Sequence, residues 1–155
     1  MRLHLQRVSR AQVDVDGTCI GKIQQGLLVL AGFGAEDSQD LPKGKVWASM
    51  LNKVLDLRIF PDENDKMNLS LRDFGGELLV VSQFTLYADC RKGRRPSFNK
   101  SAPGAEAEVL YEQLLQDFEQ RLPGQVQHGE FGAMMDVSLC NWGPVTLLLD
   151  SADLF

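Results

Sequence analysis

The sequence predicts an α+β fold: an antiparallel, barrel-like sheet with two main helices, in a single domain spanning residues 1–155. Three observations carry this expectation. The first thirty residues read as strands, two later segments repeat apolar residues at helical spacing, and strand-like runs return between and after them. With 44% hydrophobic and 24% charged side chains over 155 residues, the chain has the make-up of an ordinary globular domain with its own core.

The elements follow in order. Val13 and Val15 alternate with Gln12, Asp14 and Asp16, and Asp16-Gly17 supplies a hairpin turn before a strand over residues 18–23. Residues 27–33 are a short apolar run bounded by glycines, the pattern of a buried strand. A helix comes next. Ser38 or Asp40 caps it, Pro42 suits its first turn, and Val46, Trp47, Met50, Leu51 and Val54 form its apolar face, with Gly44 a weak residue near the start. Residues 57–60 read as a strand ended by the turn Pro61-Asp62-Glu63-Asn64-Asp65. A strongly apolar strand is expected over residues 77–86, entered through Gly75-Gly76, and residues 91–101 form a polar loop. A second helix covers residues 103–122, with Leu110, Leu114, Leu115, Phe118 and Leu122 buried and Pro123-Gly124 as its stop. Two final strands, 135–140 and 145–150, are expected to join through Asn141-Trp142-Gly143-Pro144.

Composition narrows the function classes. No apolar run approaches the ~20 residues of a membrane span, and the first residues lack the apolar stretch of a signal peptide. Cys19, Cys90 and Cys140 form no CxxC pair, so neither a zinc ribbon nor a disulfide framework is expected. Buried structural thiols in a reducing cytosol are the reading. The net charge of −5 argues against indiscriminate nucleic-acid coating, yet Arg91, Lys92, Arg94, Arg95 and Lys100 cluster in ten residues without an acid. There is no HExxH, no GxSxG, no phosphate-binding GxxxxGK[ST] loop and no complete GxGxxG. His4 and His128 read as structural or solvated. No metal and no cofactor are expected, which leaves catalysis to positioning and backbone donors.

Two segments stand out from plain core. In Ser82-Gln83-Phe84-Thr85-Leu86, three polar residues interrupt an apolar strand, which is either emerging at the surface or forming a site. Asn141-Trp142-Gly143-Pro144-Val145-Thr146 is either a hairpin turn or something more specific. Together with Gln6-Arg7-Val8, and in the same order and similar spacing, these segments resemble the signatures of the bacterial and eukaryotic type of D-aminoacyl-tRNA deacylase. Lys66-Met67-Asn68-Leu69 and Arg95-Pro96-Ser97-Phe98 are similar to that family as well, so the resemblance spans residues 1–149. Trp142 departs from it, because a small or acidic residue is usual there, and residues 151–155 are a tail that the family does not require.

The resemblance implies a homodimer that acts on the aminoacylated 3′ end of tRNA in the cytoplasm. It implies that Gly143 and Pro144 of one subunit, joined by a cis bond, enter the site of the other as a chiral gate, and that Arg7 supports the gate. Ser82, Gln83, Phe84 and Thr85 would form the other wall, with Phe84 near the terminal adenine and backbone N–H groups at the developing oxyanion. Thr85 is tempting as a nucleophile, but nothing in the sequence identifies a base to activate it, so its role is positioning. The ribose 2′-hydroxyl and a positioned water then do the chemistry. Arg91, Lys92, Arg94 and Arg95 would receive tRNA phosphates. A non-catalytic RNA-binding module and a small-molecule amino-acid esterase remain the alternatives.

Overall fold

The computed structural model describes residues 1–154. Among these residues the elements run β1 (Arg2–Val15), β2 (Thr18–Ile23), β3 (Gly26–Gly32), α1 (Lys45–Asp56), β4 (Phe60–Pro61), β5 (Met67–Leu69), α2 (Leu71–Phe74), β6 (Glu77–Ser82), α3 (Gly104–Arg121), β7 (Val126–His128), β8 (Asp136–Asp150) and α4 (Ser151–Leu154). Single 3-10 turns lie at Leu41–Lys43 and Phe84–Tyr87.

The α+β class holds, with a nearly closed, barrel-like sheet and two main helices. The pairing of the sheet differs from expectation. β1 pairs antiparallel with β2, β3 and β8, but β3 pairs parallel with β6, and β6 parallel with β7. A parallel neighbour requires a long crossover, and the segments containing α1 and α3 supply one each. The sheet is therefore mixed.

β1 is the spine. Its first half bonds β3 on one edge, its second half bonds β2 on the same edge, and β8 runs along its other edge. Asp16 and Gly17 both take positive φ, the geometry of the tight hairpin that turns β1 into β2. Two apolar clusters form on the sheet's two faces. Leu3, Leu5, Leu27, Val29, Leu78 and Val80 meet Trp47, Met50, Leu51 and Val54 of α1 and Leu110, Tyr111, Leu114 and Phe118 of α3. Val8, Ala11, Val13, Ile23, Leu28, Leu79 and Val81 form the other. Each fully buried Leu, Val or Phe contributes about 1.5–3 kcal/mol. Two buried aromatic side chains have their polar ends satisfied: the Trp47 indole donates to Asp117 at 2.6 Å, tying α1 to α3, and the Tyr111 hydroxyl donates to the Val80 carbonyl at 2.9 Å.

Several local expectations are corrected. Gly44, in extended conformation, occupies the cap position of α1; Asp40 and Pro42 belong to the preceding 3-10 turn. The strand expected over 57–60 shrinks to the short β4–β5 ribbon. The strand expected over 77–86 ends at Ser82, where its partner β3 also runs out, and a 3-10 turn follows. The two strands expected over 135–150 are one continuous strand, β8. Cys19 and Cys90 are exposed and Cys140 half-buried, because Cys19 sits on the edge strand β2 and Cys90 opens the polar loop.

Candidate active site

The continuity of β8 turns the expected hairpin into a different feature. Thr146 pairs with Gln6 and Asn141 with Val8, so Trp142, Gly143, Pro144 and Val145 stand opposite the single residue Arg7. Four residues against one cannot stay in the plane of the sheet, and they arch out as a large bulge. Asn141 ties its base together: its amide donates to the Thr146 hydroxyl at 2.8 Å, and its side-chain oxygen accepts the Val145 N–H at 3.3 Å. The Gly143–Pro144 bond is cis, as the resemblance implies, and both residues are exposed at the crest.

Arg7 fills the space beneath the arch and is only 7% exposed. Its Nε donates to the Trp142 carbonyl at 2.9 Å, and its Nη1 donates to the Ile59 carbonyl beside β4. The Trp142 ring lies over the guanidinium, 4.6 Å from centroid to Cζ. Burial pulls the Arg7 pKa below its ordinary value, and among the described residues no carboxylate forms a salt bridge with it. A guanidinium stays protonated even so. At Gly143, φ is +124° and a Cβ would fall 2.6 Å from Arg7 Nη2. Only glycine accepts both the torsion and the contact.

The second motif leaves the sheet at Ser82. The Gln83 N–H still bonds the Ala31 carbonyl at 2.7 Å, and Phe84–Tyr87 then closes a 3-10 turn. The first N–H groups of such a turn have no partner within it, which leaves those of Phe84 and Thr85 as donors. The Thr85 hydroxyl accepts from the Gln83 amide at 2.6 Å; Phe84 is 54% exposed and packs edge-on against Phe98 at 5.0 Å. Ser101 Oγ donates to the Phe84 carbonyl at 3.0 Å, so the polar loop is fastened to this turn. His128 Nδ1 lies 2.9 Å from the Gly129 carbonyl on the far side of β6, and His4 sits in β1 opposite Leu30 and Leu148.

Within one chain the two motifs are not brought together. The 3-10 turn sits level with the start of β1, where Arg2 Nη1 donates to the Leu86 carbonyl at 2.8 Å. The bulge sits level with Arg7, five residues further along the strand, or about 17 Å at the usual rise per residue.

The basic loop is more ordered than its sequence suggests. Asp89 and Ser97 exchange backbone hydrogen bonds at 2.8 and 2.9 Å, pinching its neck. The Asp89 carboxylate accepts from Arg91 Nε at 2.8 Å and lies 3.8 Å from Lys100 Nζ, and these cations hold it far below the usual carboxylate range. Arg91 is thus already engaged. Lys92, Arg94 and Arg95 are exposed and form no salt bridge among the described residues.

Sequence reasoning missed Ile59, whose contribution is a backbone carbonyl and leaves no trace in side-chain pattern. It also missed Asp89, for which a signal existed: an acid two residues before Arg91. Ser101, within the polar loop, carries no sequence signal of its bond to the Phe84 carbonyl.

Known proteins resemble this chain over most of its length. The chain matches the family model for D-Tyr-tRNA(Tyr) deacylase over residues 4–150. It is 62% identical over 154 residues to the D-aminoacyl-tRNA deacylase of Solidesulfovibrio magneticus, covering 99% of this chain and 98% of that one. It is 59% identical over 155 residues to that of Nitratidesulfovibrio vulgaris strain Hildenborough, covering 100% and 96%. Among solved structures, the c-Myc DNA unwinding element binding protein superposes with a TM-score of 0.87 at 39% identity, covering 97% and 98%. A probable eukaryotic D-amino acid tRNA deacylase shares the fold at a TM-score of 0.81 and 18% identity, covering 96% and 97%. A family match across almost the whole chain, with relatives near 60% identity, leads to one conclusion: this chain belongs to the D-aminoacyl-tRNA deacylase family of hydrolases.

Proposed function

We propose that the protein hydrolyses the ester of D-aminoacyl-tRNA in the cytoplasm, as a homodimer and without a cofactor, with residues 1–155 acting as one deacylase domain. The observation that carries this reading is the arch over Arg7, which presents the backbone of Gly143 and Pro144 outward on a rigid base. The separation of the arch from the Ser82–Thr85 wall supports a site completed by a second subunit, whose Gly143 and Pro144 would face that wall.

Selectivity in this reading is steric. With the amino group and the ester carbonyl pinned, enantiomers differ only in where the side chain points. Backbone placed on the L side rejects L-esters by clash, and the open D side asks nothing of side-chain identity. Glycyl-tRNA, with no side chain, is accepted. Water adds to the carbonyl carbon, the C–O bond to the ribose breaks, and the ribose oxygen leaves with a proton relayed through the neighbouring 2′-hydroxyl. The Phe84 and Thr85 N–H groups face the developing oxyanion, Phe84 stacks near the terminal adenine, and Ser82, Gln83 and Thr85 position the ester. Lys92, Arg94 and Arg95, with Arg91 in support, receive tRNA phosphates.

A deacylation assay with matched D- and L-tyrosyl-tRNA tests the reading. Repeated turnover on the D-substrate with the L-substrate spared is expected. Equal rates on both would overturn it.

A further inference from the structure

Arg7 poses a physical problem that its hydrogen bonds only partly solve. It is a buried cation with no carboxylate partner among the described residues, held by two carbonyl oxygens. A buried charge needs compensation, and the negative face of an aromatic ring supplies some of it. The ring here belongs to Trp142, the same residue whose carbonyl accepts from Arg7 Nε.

The indole is fixed from behind. Phe60 approaches it edge-on with centroids 6.5 Å apart, Phe74 lies at 6.0 Å, and Phe60 and Phe74 stack on each other at 4.7 Å. Phe60 is fully buried and follows Ile59, the residue that takes the other arm of Arg7. The contacts therefore close a circuit: Arg7 to Ile59, along the chain to Phe60, across to Trp142, and back to Arg7 through both ring and carbonyl. Gly143 is the next residue out. A Cβ there would meet Arg7 Nη2 at 2.6 Å, so any shift of the guanidinium reaches the crest of the arch directly.

We infer that Trp142 is a positioning residue of the stereochemical filter: its indole serves Arg7 in place of a counter-ion and so fixes where the Gly143–Pro144 backbone stands. This inference rests on the proposed deacylase activity and adds to it a residue that touches no substrate. The indole acts on selectivity and not on the chemical step. When it is removed, water reaches the guanidinium, the arch gains freedom, and L-esters find room.

Three variants separate this role from simple packing. Trp142→Phe keeps a π face over Arg7. Trp142→Leu fills the space against Phe60 and Phe74 but offers no π face. Trp142→Ala removes both. Each is assayed on D- and L-tyrosyl-tRNA alongside thermal melting. The expected result is a fall of about tenfold or more in the D/L ratio of kcat/KM for the Leu and Ala variants, driven by a rise on the L-substrate, with the ratio restored within about threefold in the Phe variant. Unchanged D/L ratios in all three, or a Leu variant that behaves like the Phe variant, would overturn the positioning role while leaving the deacylase reading intact. If Trp142→Ala fails to fold, the Phe and Leu pair still decides. A wild-type enzyme with no preference for the D-substrate would instead sink the deacylase reading itself, and this inference with it.

Discussion

Replacing Gly143 by alanine is the sharpest test of the arch. The new Cβ would lie 2.6 Å from Arg7 Nη2, 3.1 Å from Val145 Cγ2 and 3.3 Å from the Val145 nitrogen, in a backbone with φ of +124°. A non-glycine residue held in such a region costs about 1–3 kcal/mol. Forcing a methyl into a packed contact adds a further ~1–3 kcal/mol. The Nη2 end can yield only by pulling Nε from the Trp142 carbonyl or Nη1 from the Ile59 carbonyl. Taking about 3 kcal/mol for the sum, a chain of this size loses roughly 6–12 °C in melting temperature. Function should fall further than stability. A displacement near 1 Å in a positioning group costs on the order of 10²-fold, so deacylation of D-tyrosyl-tRNA at 25 °C, where the variant is still folded, should drop by about that factor. Calorimetry and single-turnover deacylation measure the two effects. A variant melting within about 1 °C of wild type with full activity would mean that the crest is loose and the geometry argued here is wrong.

Three further outcomes are expected. Thr85→Val should retain turnover, losing less than the roughly 10²–10⁴-fold that a catalytic acid or base supplies, since Thr85 only accepts from Gln83; a trapped covalent aminoacyl adduct on Thr85 would contradict this. Reversing Arg94 and Arg95 to glutamate should weaken binding of every tRNA and flatten the slope of log K against log salt by about 0.7–0.9 per lost phosphate contact; an unchanged slope would return the loop to a merely solvated role. Tyr87 and Tyr111, the two tyrosines of the chain, have their pKa values raised by burial, so an ultraviolet titration of the folded protein should show little phenolate near pH 10.5. A folded value above the unfolded one means that this contribution to stability is complete below pH ~10 and declines as pH rises toward the folded pKa. Ordinary titration of both rings near pH 10, without unfolding, would refute their burial.

What the sequence made legible was local. Asp16-Gly17 announced its hairpin, and the apolar faces of α1 and α3 stood out at helical spacing. Pairing direction did not, because whether β6 lies parallel to β3 depends on where a crossover lands and not on the composition of either strand. Val126-Gln127-His128 joins the sheet as β7 with one apolar residue to advertise it. The site divided in the same way. Ser82–Thr85 and Gly143-Pro144 were found by motif, but the Gly-Pro pair looked like a turn between two strands because only β1, more than a hundred residues earlier, reveals that both halves share one register. The Arg7–Ile59–Phe60–Trp142 circuit is assembled from three distant segments, and no window of sequence contains it.

A second irregularity, one extra residue of β1 just past the arch, governs what the strand can do beyond it. Leu3 and Leu5 face the helices, whereas Val8, Ala11 and Val13 all face the second cluster. Odd and even positions therefore exchange roles along a single strand, and the exchange occurs at the irregularity between Val8 and Arg10. One strand can thus serve two cores on opposite faces, with its parity reset midway. Deleting Ser9, the extra residue of β1 between Val8 and Arg10, would restore plain alternation and leave Val8, Ala11 and Val13 on the face they now share, whereas deleting Ser9 and Arg10 together would turn Ala11 and Val13 to the opposite face and drive Gln12 inward. Between Val8 and Ala11 the strand therefore absorbs the loss of one residue and not of two, the reverse of what a strand without an extra residue would do.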